Sequence, residues 1–323
     1  MTKTFDVLVA DAIALDALKP LSSDPRFRLT VKTGLKADEL RDAMAQCDAV
    51  LVRSATKITR DSLSRAERLK VIGRAGVGVD TIDVDAATER GIPVLTAPAG
   101  NTVSAAELTM ALLLALARRV PAADRSMRNG EWDRKSFTGV ELFGKTLGLI
   151  GAGRIGGEVA VRARAFGMKV LVSDPFLTPE RVDALGVETA AVDDILTRAD
   201  VLSVHVPLTA ETEGLIGEKE LAKLKPTAFV LNVARGGVID ETALLNALQN
   251  RKIAGAALDV YSQEPLPADH PFRALPNVVL TPHLGASTAE AQVNVAIEIA
   301  EAVRAALLDN DLSRAVNARW KVG

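Results

Sequence analysis

The chain has 323 residues, enough for two domains with sizeable cores. Charged residues make up 25% and the formal net charge is −2 with no block of one sign, so composition argues against nucleic-acid and anionic-membrane partners. The lone cysteine, Cys47, excludes an internal disulfide and a cysteine metal cluster; it suits a reducing cytoplasm and is expected to pack as a small apolar residue at a helix end.

Met1 leads almost directly into an apolar run, so no secretory leader is expected. In the first hundred residues Phe5–Ala10, Arg28–Val31, Ala49–Val52, Val71–Arg74 and Val94–Thr96 read as strands. Asp11–Leu18, Ala37–Gln46, Asp61–Ala66 and Val84–Glu89 read as the helices between them. Such alternation implies a parallel sheet with helices on both faces. Thr102–Arg119 reads as one long helix. Its apolar core, Met110–Ala117, is far short of the roughly 20 residues that span a bilayer, and it reads as a buried interface helix. A second α/β unit starts near Thr146 and continues through strands Asp200–Val206, Ala228–Val233, Ala254–Asp259 and Val278–Thr281. Ser287–Leu308 reads as a closing helix that returns to the first domain. The expected fold is α/β, with two Rossmann-like doubly wound parallel sheets. The expected domains are 1–98 plus 287–323 and 99–286, with a ligand cleft between them.

The densest signal is Gly151-x-Gly153-x-x-Gly156 between the apolar run Thr146–Ile150 and a helix pattern, with a second apolar run ending at Asp174. The first glycine permits a tight turn, the second a close backbone approach to pyrophosphate, and the third close packing of helix on strand. The helix N-terminus offers free N–H groups to phosphates. Asp174, about 20 residues past the turn, is placed to accept hydrogen bonds from ribose hydroxyls. An acid there favours NAD over NADP, and the next residues, Pro175 and Phe176, cannot pair with a 2′-phosphate.

Three histidines can be weighed singly. His205 ends a strand before Val206-Pro207 and suits either a structural role or the lining of a cofactor site. His270 lies in the loop Asp269–Phe272 and reads as a cap or surface group. His283 comes after Thr281-Pro282 at the last strand's end, a place suited to proton transfer or to a satisfied structural histidine. Arg235, before Gly236-Gly237, offers a planar fork for a carboxylate or else a surface salt bridge. Glu264 sits in a loop before Pro265 and is no routine helix-face charge. If Arg235, Glu264 and His283 converge, they describe hydride transfer at a hydroxyl beside a carboxylate. Spacing alone cannot show convergence.

The segments LVRSAT (Leu51–Thr56), GRAGVGVD (Gly73–Asp80), APAGNTVSAAELTMALLLALAR (Ala97–Arg118), GKTLGLIGAGRIG (Gly144–Gly156), NVARGGVID (Asn232–Asp240), ALDVYSQEP (Ala257–Pro265) and TPHLGAST (Thr281–Thr288) cover nearly the whole chain. In them the chain resembles the NAD-dependent D-isomer-specific 2-hydroxyacid dehydrogenases, and within that family the members that oxidise 3-phospho-D-glycerate in serine biosynthesis. The resemblance implies His283 as acid/base, Glu264 as its partner and Arg235 as the holder of the substrate carboxylate. It implies Arg154 and Ile155 at the pyrophosphate, with His205, Val206 and Pro207 on the adenosine side. Thr212, Ala234 and Ala286 are implied near the cofactor, and Asp259 toward the nicotinamide amide. Arg53, Ser54, Val77, Gly78 and Asn101 are implied on the substrate side. Arg74, Lys57, Arg134 and Lys135 are candidates for a substrate phosphate or form a solvated basic patch. A cytoplasmic homodimer or higher homo-oligomer, built on the Thr102–Arg119 helix and the segment that follows it, is expected, and no metal.

One departure is Thr81, where the family often shows asparagine after GVGVD. Longer relatives carry C-terminal regulatory domains that sense serine; with a chain ending at Gly323, no such feedback is expected, whether it is a short form or a truncated one. Two rival functions stay open. One is reduction of glyoxylate, hydroxypyruvate or another 2-keto acid, which the same fold and triad serve. The other is NAD(H) sensing by a corepressor-like binding protein, against which the Arg235, Glu264 and His283 set counts.

Overall fold

A computed structural model describes residues 4–317. The chain divides into two compact units, Met1–Asn101 with Ala286–Gly323, and Thr102–Gly285. The first unit opens with β1 (Phe5–Val9), a 3-10 turn (Leu15–Leu18), α1 (Lys19–Ser22), β2 (Phe27–Val31), α2 (Ala37–Met44), β3 (Ala49–Val52), α3 (Arg60–Leu63), β4 (Val71–Arg74), α4 (Val84–Glu89) and β5 (Val94–Thr96). Its sheet has the order β2-β1-β3-β4-β5, and every pairing is parallel. The helix expected over Asp11–Leu18 is instead a bend and then the short 3-10 turn. The cause is Asp11, whose carboxylate accepts from Arg53 N (2.5 Å), Thr56 N (3.2 Å) and Thr56 Oγ1 (2.6 Å) and so ties the end of β1 to the loop after β3. α3 begins earlier than expected because Thr59 caps it, accepting from Ser62 N while Ser62 Oγ accepts from Thr59 N.

The second unit carries α5 (Thr102–Ala117), α6 (Val120–Arg128), β6 (Thr146–Ile150), α7 (Arg154–Ala165), β7 (Lys169–Ser173), α8 (Pro179–Leu185), β8 (Glu188–Thr189), α9 (Val192–Arg198), β9 (Val201–Val204), α10 (Glu218–Leu221), β10 (Phe229–Asn232), α11 (Glu241–Gln249), β11 (Gly255–Leu258), a 3-10 turn (Pro271–Ala274) and β12 (Val278–Leu280). Its seven strands run β12-β11-β10-β9-β6-β7-β8, again all parallel. β3, β9 and β11 are buried along their whole length, as expected where helices cover both sheet faces. The single helix expected over Thr102–Arg119 stops at Ala117. Arg119 takes a left-handed φ of 54°, and α6 restarts with Pro121 in its first turn, where a missing N–H costs nothing.

α12 (Ala289–Asp309) belongs to the first unit. Its Val295, Ala296, Ile299, Ala300 and Val303 join a core with Val9, Leu51 and Leu95. Beyond it Ala315 bridges antiparallel to Leu95, and the Asn317 side chain accepts from Val94 N (2.8 Å) and donates to Ile92 O (3.0 Å) and Thr88 Oγ1 (2.9 Å). Cys47 is buried just past Ala45, the C-cap of α2, and burial pushes its thiol up to about 12. Among the described residues no helix is long and apolar enough to cross a membrane.

Candidate active site

In the second sheet the strand order reverses between β9 and β6, so the loops leaving these two strands part at a crevice, the usual ligand position of an open α/β sheet. Gly151 leaves β6 with φ +91°, and a Cβ there would lie 2.7 Å from His205 O, just past β9. Only glycine suits that conformation and that approach. A Cβ at Gly156 would collide with Gly151 O, whereas one at Gly153 would meet nothing within 4 Å. The turn is thus closed on its protein side and open at Gly153, the N-cap of α7, which no side chain caps. Arg154 is exposed and Ile155 partly buried in the first turn of that helix. Asp174 comes directly after β7; its Oδ2 accepts from Ala152 N (2.8 Å) and its Oδ1 from Phe176 N (2.9 Å). Each oxygen keeps a lone pair for a ribose hydroxyl. NAD fits this cradle: an open glycine turn for pyrophosphate, an uncapped helix N-terminus, and a carboxylate set against the turn.

His205 Nε2 lies 2.8 Å from Ser203 Oγ, and burial pushes its pKa down to about 4, so the ring is neutral near pH 7. Val206 packs on the core while Pro207 is exposed. The Thr212 hydroxyl donates to Pro207 O (2.5 Å) and accepts from Thr209 N (2.8 Å), closing this loop.

The neighbouring strands β10, β11 and β12 end beside one another, which brings three loops together. At the end of β10 buried Asn232 accepts from Ala234 N (3.0 Å) and donates to Arg235 O (2.8 Å), shaping the turn that carries Arg235. Arg235 Nη1 donates to Ala234 O (2.6 Å). A Cβ at Gly236 would overlap the backbone of Tyr261, so this turn passes directly against the loop after β11. There Tyr261 N donates to Glu264 Oε1 (3.1 Å), and the Tyr261 hydroxyl points to Leu258 O (3.1 Å) and Thr281 O (2.9 Å). Glu264 Oε2 stands 2.7 Å from His283 Nδ1, with the two side chains 36% and 46% exposed and so open to a ligand. His283 itself has φ 54°.

The Glu264 hydrogen bond is the main reason that the His283 pKa is raised, against burial and the Arg235 charge, which lower it. For Glu264 burial is the largest effect and would raise its pKa, but the hydrogen bonds from His283 and Tyr261 N together with the charges of His283 and Arg235 prevail and hold it lower. Arg235 is therefore close enough to act on both groups. With Nδ1–H given to Glu264, Nε2 is the ring atom left for a proton transfer. Asp259, just past β11, is fully buried and bonds to the loop that carries His283.

The remaining predicted residues lie mostly in the first unit. Arg53 is anchored through its backbone N–H on Asp11 at that unit's own reversal of strand order, with Ser54 and Lys57 exposed beside it. Arg74 ends β4 and donates to Ala75 O (2.8 Å), folded over Gly76. Val77 is exposed and Gly78 partly buried in the next loop. Asn101 Oδ1 is buried without a described hydrogen-bond partner, and Ala286 opens the returning segment. Arg134 and Lys135 are exposed in the second unit, between α6 and β6. Sequence reasoning overlooked Asn232, Tyr261 and Thr281, which touch Ala234, Glu264 and Asp259. A polar or aromatic residue at a strand end was the available signal for each.

A family model described as "D-isomer specific 2-hydroxyacid dehydrogenase, NAD binding domain" matches residues 110–285, more than half of the chain. The chain is 48% identical over 314 residues to a D-3-phosphoglycerate dehydrogenase of Synechocystis, covering 96% of this chain and 56% of that protein. It is 50% identical over 299 residues to the Bacillus subtilis protein of the same name, covering 93% and 56%. The chain thus spans little more than half the length of these curated relatives. Among solved structures it resembles a glyoxylate reductase of Paecilomyes thermophila, with a TM-score of 0.85, 33% identity, and coverage of 98% and 99% of the two chains. The chain belongs to the D-isomer-specific 2-hydroxyacid dehydrogenase family and carries that family's NAD-binding domain.

Proposed function

We propose that this chain oxidises 3-phospho-D-glycerate to 3-phosphohydroxypyruvate with NAD, in the cytoplasm. The observation that carries the reading is the 2.7 Å pairing of His283 with Glu264 beside Arg235. The identity of about half to relatives named D-3-phosphoglycerate dehydrogenase, against 33% to the glyoxylate reductase, favours the phosphorylated substrate over a simple 2-keto acid.

Arg235 binds the substrate carboxylate through its planar fork. His283, neutral in this direction, takes the C2 hydroxyl proton at Nε2, and Glu264 stabilises the imidazolium that forms. Bound NAD supplies the hydride acceptor. Gly151, Gly153, Gly156, Arg154 and Ile155 hold its pyrophosphate and Asp174 its ribose, with His205, Val206, Pro207, Thr212, Ala234 and Ala286 contributing further contacts and Asp259 facing its nicotinamide amide. Arg53, Ser54, Val77, Gly78 and Asn101 contact the substrate, and Arg74, Lys57, Arg134 and Lys135 supply positive charge for its phosphate. The protein works as a homodimer through α5 and α6.

Steady-state rates with NAD decide the substrate. kcat/KM for 3-phosphoglycerate is expected to exceed that for glycerate and D-lactate, and glyoxylate to be reduced poorly. No gain from the phosphate would overturn the substrate assignment. A chain that binds NADH yet turns over none of these acids would be a sensing protein instead.

A further inference from the structure

Resting on the reading that Arg53 and Ser54 meet the substrate, we propose that Asp11 is a positioning residue whose carboxylate holds the bend from Arg53 to Thr56 in the form that presents those two side chains. Asp11 is 4% exposed, so its charge must be compensated by the protein rather than by water. Every hydrogen bond described for its carboxylate comes from that bend. Arg53 N (2.5 Å) and Thr56 N (3.2 Å) both donate to Oδ2, and Thr56 Oγ1 (2.6 Å) donates to Oδ1. One oxygen thus closes the bend across Ser54 and Ala55, which are exposed. The carboxylate stands in for the backbone carbonyl that this turn lacks.

Both ends of the loop are fixed without Asp11. Val52 pairs with Arg74 in the sheet, and past the bend Ile58 N donates to Thr81 O (2.8 Å) while Asp83 N donates to Ile58 O (2.8 Å). Between those ends, the described partners of residues 53–57 are the Asp11 carboxylate and Ala10 O, 3.2 Å from Thr56 Oγ1. Loss of the carboxylate therefore frees the bend and leaves the sheet in place. The bend lies where the strand order reverses between β1 and β3, the ligand position of an open parallel sheet. Arg53 is half-buried and makes no ion pair among the described residues, which leaves its guanidinium for an anion. A carboxylate beside a site for an anionic substrate is unfavourable by charge alone. Its burial against two N–H groups and a hydroxyl is what makes it compatible with that site.

The test compares Asp11→Asn, Arg53→Ala and the double variant in turnover of 3-phosphoglycerate and in NADH titration. Asparagine keeps the size but sets an N–H against a donor. For Asp11→Asn, kcat/KM for 3-phosphoglycerate is expected to fall roughly 10²-fold, the scale of an ångström misplacement. The fall should come chiefly through KM, as for lost substrate binding, with NADH affinity native because the cofactor residues lie in the second unit. The double variant is expected to stay close to Arg53→Ala, since a residue that acts through another adds little once that one is gone. An unchanged KM overturns the proposal, as do a parallel loss of NADH affinity and full multiplication of the two effects. Should Asp11→Asn fail to fold, Thr56→Val removes one donor from the same carboxylate. It is expected to raise KM and Thr56→Ser to restore it, while a native KM in Thr56→Val overturns the proposal. Amide exchange followed by NMR is the readout that needs neither substrate nor NAD. In Asp11→Asn the Arg53 and Thr56 amides are expected to exchange roughly tenfold faster while Ile58 keeps its protection. Exchange at the native rate overturns the proposal. A native chain inert toward every 2-hydroxy acid would remove the functional reading, and the exchange rates would still decide whether Asp11 holds the bend.

Discussion

At the scale of single residues, His283 is held against three costs: a left-handed backbone, burial of the ring and the positive charge of Arg235. Glu264 outweighs the last two and keeps the imidazole pKa above its ordinary value. Oxidation needs the neutral ring, so its kcat/KM should climb as pH rises through that elevated pKa, while reduction, which needs imidazolium, should decline over the same range. Glu264→Gln removes the largest cause of the elevation. The rise in oxidation should then come at lower pH, with kcat reduced roughly 10²-fold or more. A pH profile of the variant that superimposes on the native one would exclude the pairing as the cause. In the sequence, Arg235, Glu264 and His283 could each be seen at a strand end. Their meeting could not, because it depends on β10, β11 and β12 being neighbours and on a φ sign at His283 that no composition rule suggests.

At the scale of elements, the strand–turn–helix from β6 through α7 is the best-determined local unit. Its first and third glycines are enforced by contacts with His205 O and Gly151 O, while its second faces open space. Gly156→Ala should therefore push α7 off the turn. NADH affinity measured by fluorescence titration is expected to drop at least tenfold, and the melting temperature to fall by several degrees, as for an overpacked core worth about 1–3 kcal/mol. Binding at native strength would show that the turn can absorb a Cβ. Apolar runs and glycine spacing made this unit readable beforehand. The bend after Asp11 and the break at Arg119 were not readable, since a remote backbone partner made the first and a left-handed residue the second. β8 escaped notice because its two residues, Glu188 and Thr189, are exposed and carry no apolar signal.

At the scale of the molecule, alternation of strand and helix patterns sufficed to foresee two parallel-sheet units, because strands covered on both faces must be apolar throughout. The second unit leaves Val120 52% and Met127 53% exposed on α6, facing a concavity also lined by Ala111, Leu114, Ala115 and Arg118. Exposed apolar surface of this kind calls for a partner. Light scattering at micromolar concentration should give a dimer mass, and Met127→Glu should lower it. A monomer mass for the native chain would reject the proposed assembly. The core shared by β1, β3, β5 and α12 has a further consequence, for the order of events during synthesis. The second unit is one continuous stretch and can complete its contacts as soon as it leaves the ribosome. The strands β1–β5 cannot, because Ile299, Val303 and Asn317 emerge only after the second unit. Those strands must wait with their apolar faces uncovered until α12 is made, and over that interval they are a target for a chaperone.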